Sequence, residues 1–185
     1  MILETPSELR STETAMTQRI LIELLYGKYA HANPIACVED VTAELAARRA
    51  EGFPHSIWEI VWHVNYWMDY EIKRIHGENP AYPGQAAESW PSEAFPDESA
   101  WNREVARFAA LIDELAGLAQ SDEETLDRQV RAPAEVADPS HSREPVTVLD
   151  VLWQTAVHNS YHVGQVALLR RALGTWPPPG GGDTW

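Results

Sequence analysis

The 185-residue sequence contains a single cysteine, Cys37, so no disulfide and no thiolate metal cluster can form within the chain. Basic residues are scarce. Fourteen Lys and Arg stand against 28 Asp and Glu, a formal net charge of −14 with a pI near 4.8. Such a chain lacks the basic face that releases counterions from nucleic acid, and an anionic membrane surface would repel it. No apolar run approaches the roughly 20 residues that span a bilayer. Met1–Thr12 has neither the basic start nor the apolar centre of a secretory signal. A P-loop, a G-x-G-x-x-G turn and an H-E-x-x-H helix are all missing. These absences predict a soluble, cytoplasmic protein that handles small molecules.

What the sequence does have is enough apolar material, 44 % of residues, for one well-filled core, with 23 % charged residues as in ordinary globular chains. A single domain over residues 1–185 follows. Eight tryptophans are several times the average usage, and large aromatics fill cores or line pockets.

Apolar residues recur at helical spacing in four long stretches, and no alternating pattern suggests strands. The first stretch runs from about Thr12 to Tyr29, with Met16, Ile20, Leu24 and Leu25 on one side, weakened at Gly27 and barred by Pro34. A shorter helix is expected over Val38–Ala50. The second long helix opens on Ser56-Ile-Trp-Glu59, a capping box, and runs about 21 residues, roughly 31 Å, to Gly77. Glu78–Pro96, with four prolines, reads as irregular. Asp97–Ala119 forms the third helix, with Trp101, Val105, Phe108, Ile112, Leu115 and Leu118 at core spacing. Ser121–Pro145 reads as a long loop. The fourth helix runs from a weaker capping box at Thr147–Asp150 to Leu173, and residues 176–185 form a flexible tail. Four amphipathic helices in one chain make an all-α four-helix bundle, with a short extra helix after the first.

Seven histidines are present, and one pair has ligand spacing on sequence alone. His158 and His162 are four residues apart on the fourth helix, about 6 Å along the axis and 40° around it, so both rings can reach one ion at about 2.1 Å. Their side of the helix carries Val151, Gln154, Thr155, Tyr161, Gln165 and Leu169, without a charge at its centre. Leu149, Leu152, Ala156, Val163 and Ala167 lie opposite, so both sides are expected to be covered. Buried imidazoles need hydrogen-bond partners or a metal. The second helix repeats this layout around His63, with Glu59, Tyr66, Trp67 and Tyr70 on its side. Taken alone, His63 also fits a core histidine bonded to a tyrosine or a carbonyl. Joined to the other pair it completes a three-histidine set with an open coordination position. His55 belongs to the helix start and His76 to a helix end. His31 and His141 are loop residues, of which His31 is a pocket candidate. Cys37 reads as a small buried residue and Ser160 as a packing residue.

The strings His55-Ser-Ile-Trp-Glu-Ile-Val-Trp-His63-Val-Asn-Tyr-Trp67 and His158-Asn-Ser-Tyr-His162-Val-Gly-Gln165 resemble the DinB/YfiT-like superfamily. The ending Leu168-Leu-Arg-Arg-Ala-Leu-Gly174 followed by Trp176-Pro-Pro is similar too, so the resemblance covers nearly the whole chain. It implies a four-helix bundle holding a divalent metal, zinc or nickel, on His63, His158 and His162, often as a homodimer. It also implies one of several chemistries. Some members are thiol-dependent transferases or isomerases, and others are called metal-dependent hydrolases.

The expectation is therefore a metal-dependent enzyme in which an ion lowers the pKa of a low-molecular-weight thiol or of water. Thiol transfer to a small electrophilic substrate is favoured over hydrolysis. Glu59, Tyr66 and Gln165 are the candidate catalytic contacts, with Tyr161 beside them. A non-catalytic, stress-related metal-binding bundle stands as the rival, with the long loops closing the site. A bundle with hydrogen-bonded histidines and no metal is the third reading. Small residues Ala156, Ser160, Gly164 and Ala167 could serve a dimer contact or close packing within one chain.

Overall fold

The computed structural model describes residues 6–93, 95–131 and 145–182. Four long helices dominate: α1 (Pro6–Leu25), α3 (Ile57–Ile75), α4 (Glu98–Leu118) and α6 (Val148–Ala172). Two five-residue helices, α2 (Ala43–Ala47) and α5 (Glu123–Asp127), and a 3₁₀ turn at Ala86–Ser89 lie in the connections. The architecture is all-α, as the periodicity predicts. One correction concerns Ser121–Pro145, which is not a plain loop. Besides α5, it contributes β1 (Gln129–Val130), which pairs antiparallel with β2 (Val146–Thr147) at the start of α6. Two residues per strand are too few to alternate visibly in a sequence. His141 and most of that connection lie outside the described residues.

Side-chain contacts fix the helix directions. Gln18 Nε2 donates to the Ser121 carbonyl (2.6 Å) and Tyr26 Oη to Asp113 (2.6 Å), so α1 and α4 are antiparallel. Trp58 meets Trp101, Asn65 bonds Glu104 and His76 bonds Glu114, so α3 and α4 are parallel. Asn159 contacts Met68, and His162 packs beside His63, so α6 is antiparallel to α3. The order is up, down, down, up. Parallel α3 and α4 cannot be joined by a tight turn, so residues 76–97 must travel back along the bundle. That return path carries Trp90 onto the site described below.

Both predicted capping boxes form. Ser56 Oγ accepts from the Glu59 amide (3.3 Å), and Glu59 Oε2 accepts from the Ser56 amide (2.7 Å). Thr147 and Asp150 repeat the exchange at the start of α6. Helix α1 ends four residues earlier than its pattern suggests. Gly27 sits at φ +78°, and a Cβ there would lie 2.6 Å from the carbonyl oxygens of His31 and Ala32, so the chain turns back on itself at a point only glycine permits. The core row of α1 also differs from expectation. Leu21 and Leu25 are buried, whereas Met16 and Ile20 are 51 % and 40 % exposed. The helix expected over Val38–Ala50 is only the five residues of α2. Cys37, Val38 and Val41 enter the core from turns that precede it.

Arg170 is a buried charge that the apolar reading of α6 gave no reason to single out. It is 1 % exposed, binds both oxygens of Asp40 (2.7 and 2.9 Å), and donates to the carbonyls of Cys37 (2.9 Å) and Thr175 (2.8 Å). It thus ties the segment before α2 and the tail to the last turn of α6. The tail is accordingly packed over its first part. Trp176 lies against the Arg171 guanidinium at 4.3 Å, and Pro178 is buried. Residues 183–185 lie outside the described residues. Three of the four small residues of α6 pack within the chain: Ala156 and Ala167 are buried, and Ser160 Oγ reaches Ala156 O (2.8 Å) and His31 Nε2 (3.0 Å), whereas a Cβ at Gly164 would meet open space.

Candidate metal centre

Helices α3 and α6 pack antiparallel, so side chains at i, i+4 spacing on one face rungs on the other. His63 meets His162 at a ring separation of 5.0 Å and His158 at 5.4 Å, and the two α6 rings are 4.5 Å apart. One ligand-capable nitrogen from each of the three lies within 4.8 Å of the others. His158 Nε2 and His162 Nε2 are 3.1 Å apart. Two nitrogens bound at about 2.1 Å to one tetrahedral ion would be about 3.4 Å apart, so the pair already stands at ligand spacing.

Hydrogen bonds behind the rings decide which nitrogens face inward. His63 Nδ1–H donates to the Ser89 carbonyl (2.8 Å), leaving Nε2 as a bare lone pair. His162 Nδ1–H donates to Gln165 Oε1 (2.8 Å), with the same result. Metal-binding imidazoles are characteristically held this way, by an acceptor on the far nitrogen. Burial, reinforced by the neighbouring imidazoles, holds His158 and His162 down to about 4. His63 is also lowered, by burial, against the opposing Ser89 bond. All three rings are therefore neutral at pH 7, the form that binds metal. Neutral inward lone pairs at ligand spacing fit a divalent ion.

The crossing segment seals one flank. The Trp90 indole stacks on His63 at 4.0 Å with planes 13° apart, and on His55 at 3.8 Å with planes 9° apart. Helical spacing places Trp67 on the His63 side, and nothing in the sequence pattern singles out Trp90. Its one hint is that it is a large aromatic in an irregular segment, with no helix of its own to pack on. Trp67 does stand edge-on to His63 (6.3 Å), while Trp62 stacks on Tyr66 (5.7 Å).

The other candidates divide. Gln165 orients His162, as described. Tyr66 sits one turn along α3 against Trp62 and Trp67; burial and the Glu88 carboxylate raise its hydroxyl above the usual range. Glu59 is held at the helix start, where Ser56 takes Oε2 and the Arg49 guanidinium takes Oε1 (2.6 Å), a turn away from the imidazole it was expected to serve. A capping-box glutamate is committed to backbone bonding by the very pattern that identifies the helix. Tyr161 lays its ring edge on His162 at 5.0 Å but is 65 % exposed; it stands at the solvent edge of the histidine side, whose Val151, Thr155, His162 and Leu169 are buried. His31 does not join the cluster; its Nδ1–H donates to Ala32 O (2.8 Å) and its Nε2 meets Ser160, on the opposite side of α6. Cys37 is buried, and burial pushes its thiol up to about 11, which leaves it inert.

A cavity of about 350 Å³ opens beside the cluster, lined by Trp67, Glu71, Gln154, Thr155 and His158. Glu71, two turns beyond His63 on α3, was not anticipated as a site residue. No helix among the described residues is long and apolar enough to cross a membrane.

Comparison with known proteins bears on the fold and the family. No curated protein matches the chain. A crystal structure of a conserved protein from Enterococcus faecalis shares the fold, with a TM-score of 0.52 and 16 % identity, covering 89 % of this chain and 97 % of that one. The family model of the DinB superfamily matches residues 30–166, a span that contains all three histidines. The chain belongs to the DinB superfamily.

Proposed function

We propose that the protein is a divalent-metal-dependent transferase that attaches a low-molecular-weight thiol to a small electrophile. The observation that carries this reading is the convergence of three neutral imidazoles, two with inward lone pairs, beside a cavity that reaches His158. His63, His158 and His162 would hold the ion, zinc or nickel. An ion held there supplies Lewis acidity that lowers the pKa of a thiol near neutral pH. Gln165 and the Ser89 carbonyl hold two of the rings in the required tautomer. Trp90 excludes water from the His63 flank, while the cavity leaves the His158 flank accessible. That cavity favours an enzyme over a bundle that keeps metal for stability alone, because a purely structural site needs no adjoining space.

The protein is further proposed to work in the cytoplasm as a homodimer. Val157, Tyr161 and Leu168 form an exposed stripe on α6 that suits a second copy of the chain, and light scattering on the purified protein tests it.

The function is tested by metal analysis of the purified protein, followed by a turnover screen pairing common biological thiols with small electrophiles. Product formation that stops on chelation and returns with zinc or nickel supports the transferase. Hydrolysis of the electrophile without thiol consumption would replace it with a hydrolase, and metal content without turnover would leave a binding protein.

A further inference from the structure

Two facing rows of side chains define the space beside the imidazoles. On α3 the row is His63, Trp67, Glu71, each four residues on; on α6, running the other way, it is His162, His158, Gln154. Each step is about 6 Å along the axis. The first rung is the imidazole cluster, the middle rung sets the Trp67 ring opposite His158, and the last sets Glu71 opposite Gln154. The 350 Å³ cavity occupies the second and third rungs. Among the described residues that line it, Glu71 is the one Asp, Glu, Lys or Arg.

Glu71 is an unusual wall residue. Burial raises its carboxyl above the usual carboxylate range, and the Arg74 guanidinium, whose Nη1 donates to Oε2 at 2.5 Å, works against that rise. Oε1 receives no hydrogen bond among the described residues. The neighbouring Thr155 hydroxyl is committed to the Val151 carbonyl (2.8 Å), so it does not donate to Glu71. One acceptor oxygen of this Arg74-paired carboxylate, whose side chain is 20 % exposed, is thus left over at the end of a cavity with an indole wall. A second cation or a strong donor completes such an oxygen, and an ammonium beside an indole face gains a cation–π contribution as well. A carboxylate brought to the same place would meet like charge and no partner.

We propose that this cavity selects a small molecule bearing an ammonium group at its far end, so that the thiol or the electrophile handled at the imidazole cluster is cationic rather than anionic. As an account of substrate choice it rests on the reading of that cluster as the reaction centre. The selectivity itself requires only Glu71, Gln154 and Trp67.

The test compares two ligands with the same arene and a two-carbon arm but opposite charge, 2-phenylethylammonium and 3-phenylpropanoate, titrated calorimetrically into chelator-treated and zinc-loaded protein. The ammonium ligand is expected to bind at least tenfold more tightly to the chelator-treated protein; in the zinc-loaded form the carboxylate of 3-phenylpropanoate can also take the open coordination position. Glu71→Gln should abolish the difference without changing zinc affinity. Because losing the Arg74 partner could unfold the chain, Gln154→Lys at an exposed position provides the second variant, and it should reverse the preference. Equal affinities in the chelator-treated wild type, or a preference that neither Glu71→Gln nor Gln154→Lys alters, overturns the proposal. Zinc titration of the same samples reports separately on the metal centre: failure to bind zinc refutes that reading while the charge preference stands or falls by its own measurement.

Discussion

Removing His158 should separate metal binding from folding, and the structure gives the size of the effect. An ion present at one hundred times its dissociation constant stabilises the folded chain by about 2.7 kcal/mol. For a chain of this length each kcal/mol raises Tm by about 2–4 °C, so zinc should raise the melting temperature by about 5–11 °C. Gln165→Ala keeps all three rings but removes the acceptor that fixes the His162 tautomer. Loss of such an orienting partner weakens binding about 10- to 100-fold, leaving roughly 0.4–1.4 kcal/mol at the same zinc concentration. His158→Ala deletes a ligand outright from a ring that stands 3.1 Å from its neighbour, and its zinc shift should vanish. Differential scanning fluorimetry of the three proteins, with and without chelator, reads this series directly. A His158→Ala protein that retains the full wild-type shift refutes the three-imidazole site.

Acidity should act on both stability and metal affinity. His158 and His162 are held down to about 4 in the folded chain and return to about 6.5 on unfolding, so the unfolded state binds more protons between those values. Metal-free protein should therefore keep this contribution above pH 6.5 and lose it progressively toward pH 4, which urea titrations across that range measure. Zinc affinity should begin to fall only at a pH lower than free imidazoles would give, because all three ligands are held below their ordinary value; calorimetric affinity that falls tenfold per pH unit from pH 6.5 would contradict the depressed values. Arg170→Leu strands Asp40 and two carbonyls, and should cost about 3 kcal/mol in chemical denaturation while leaving zinc binding intact in the folded fraction. Ser56→Ala removes one half of a capping box at the start of α3 and should cost about 1 kcal/mol by the same assay.

Helix-forming information in this chain is local, and that is why much of the fold was readable. Ser56–Glu59 and Thr147–Asp150 each place a hydroxyl and a carboxylate three residues apart, and those bonds close within one turn whatever surrounds them. Gly77 and Gly174, both at positive φ, stop α3 and α6 where their types suggest. The His158–His162 pair was equally legible, because four residues of helix bring two side chains onto one face without reference to any other part of the protein. Met16 and Ile20 show the limit: an apolar pattern does not say which of two overlapping stripes a neighbour will cover, and Leu21 joined the expected Leu25 in the core while Met16 and Ile20 stayed outside.

By itself the sequence determined four helices, their caps and two of the three imidazoles as a pair, since each depends on separations of three or four residues. Only the tertiary structure decided that α6 runs against α3 in the register that brings His63 to His162, that parallel α3 and α4 send Trp90 and Ser89 back across that ring, and that the second oxygen of Glu59 goes to Arg49. Those outcomes follow from packing between residues 10 to 99 positions apart. Which partner wins depends on the shape and charge of the surfaces available, which no short window of residues records.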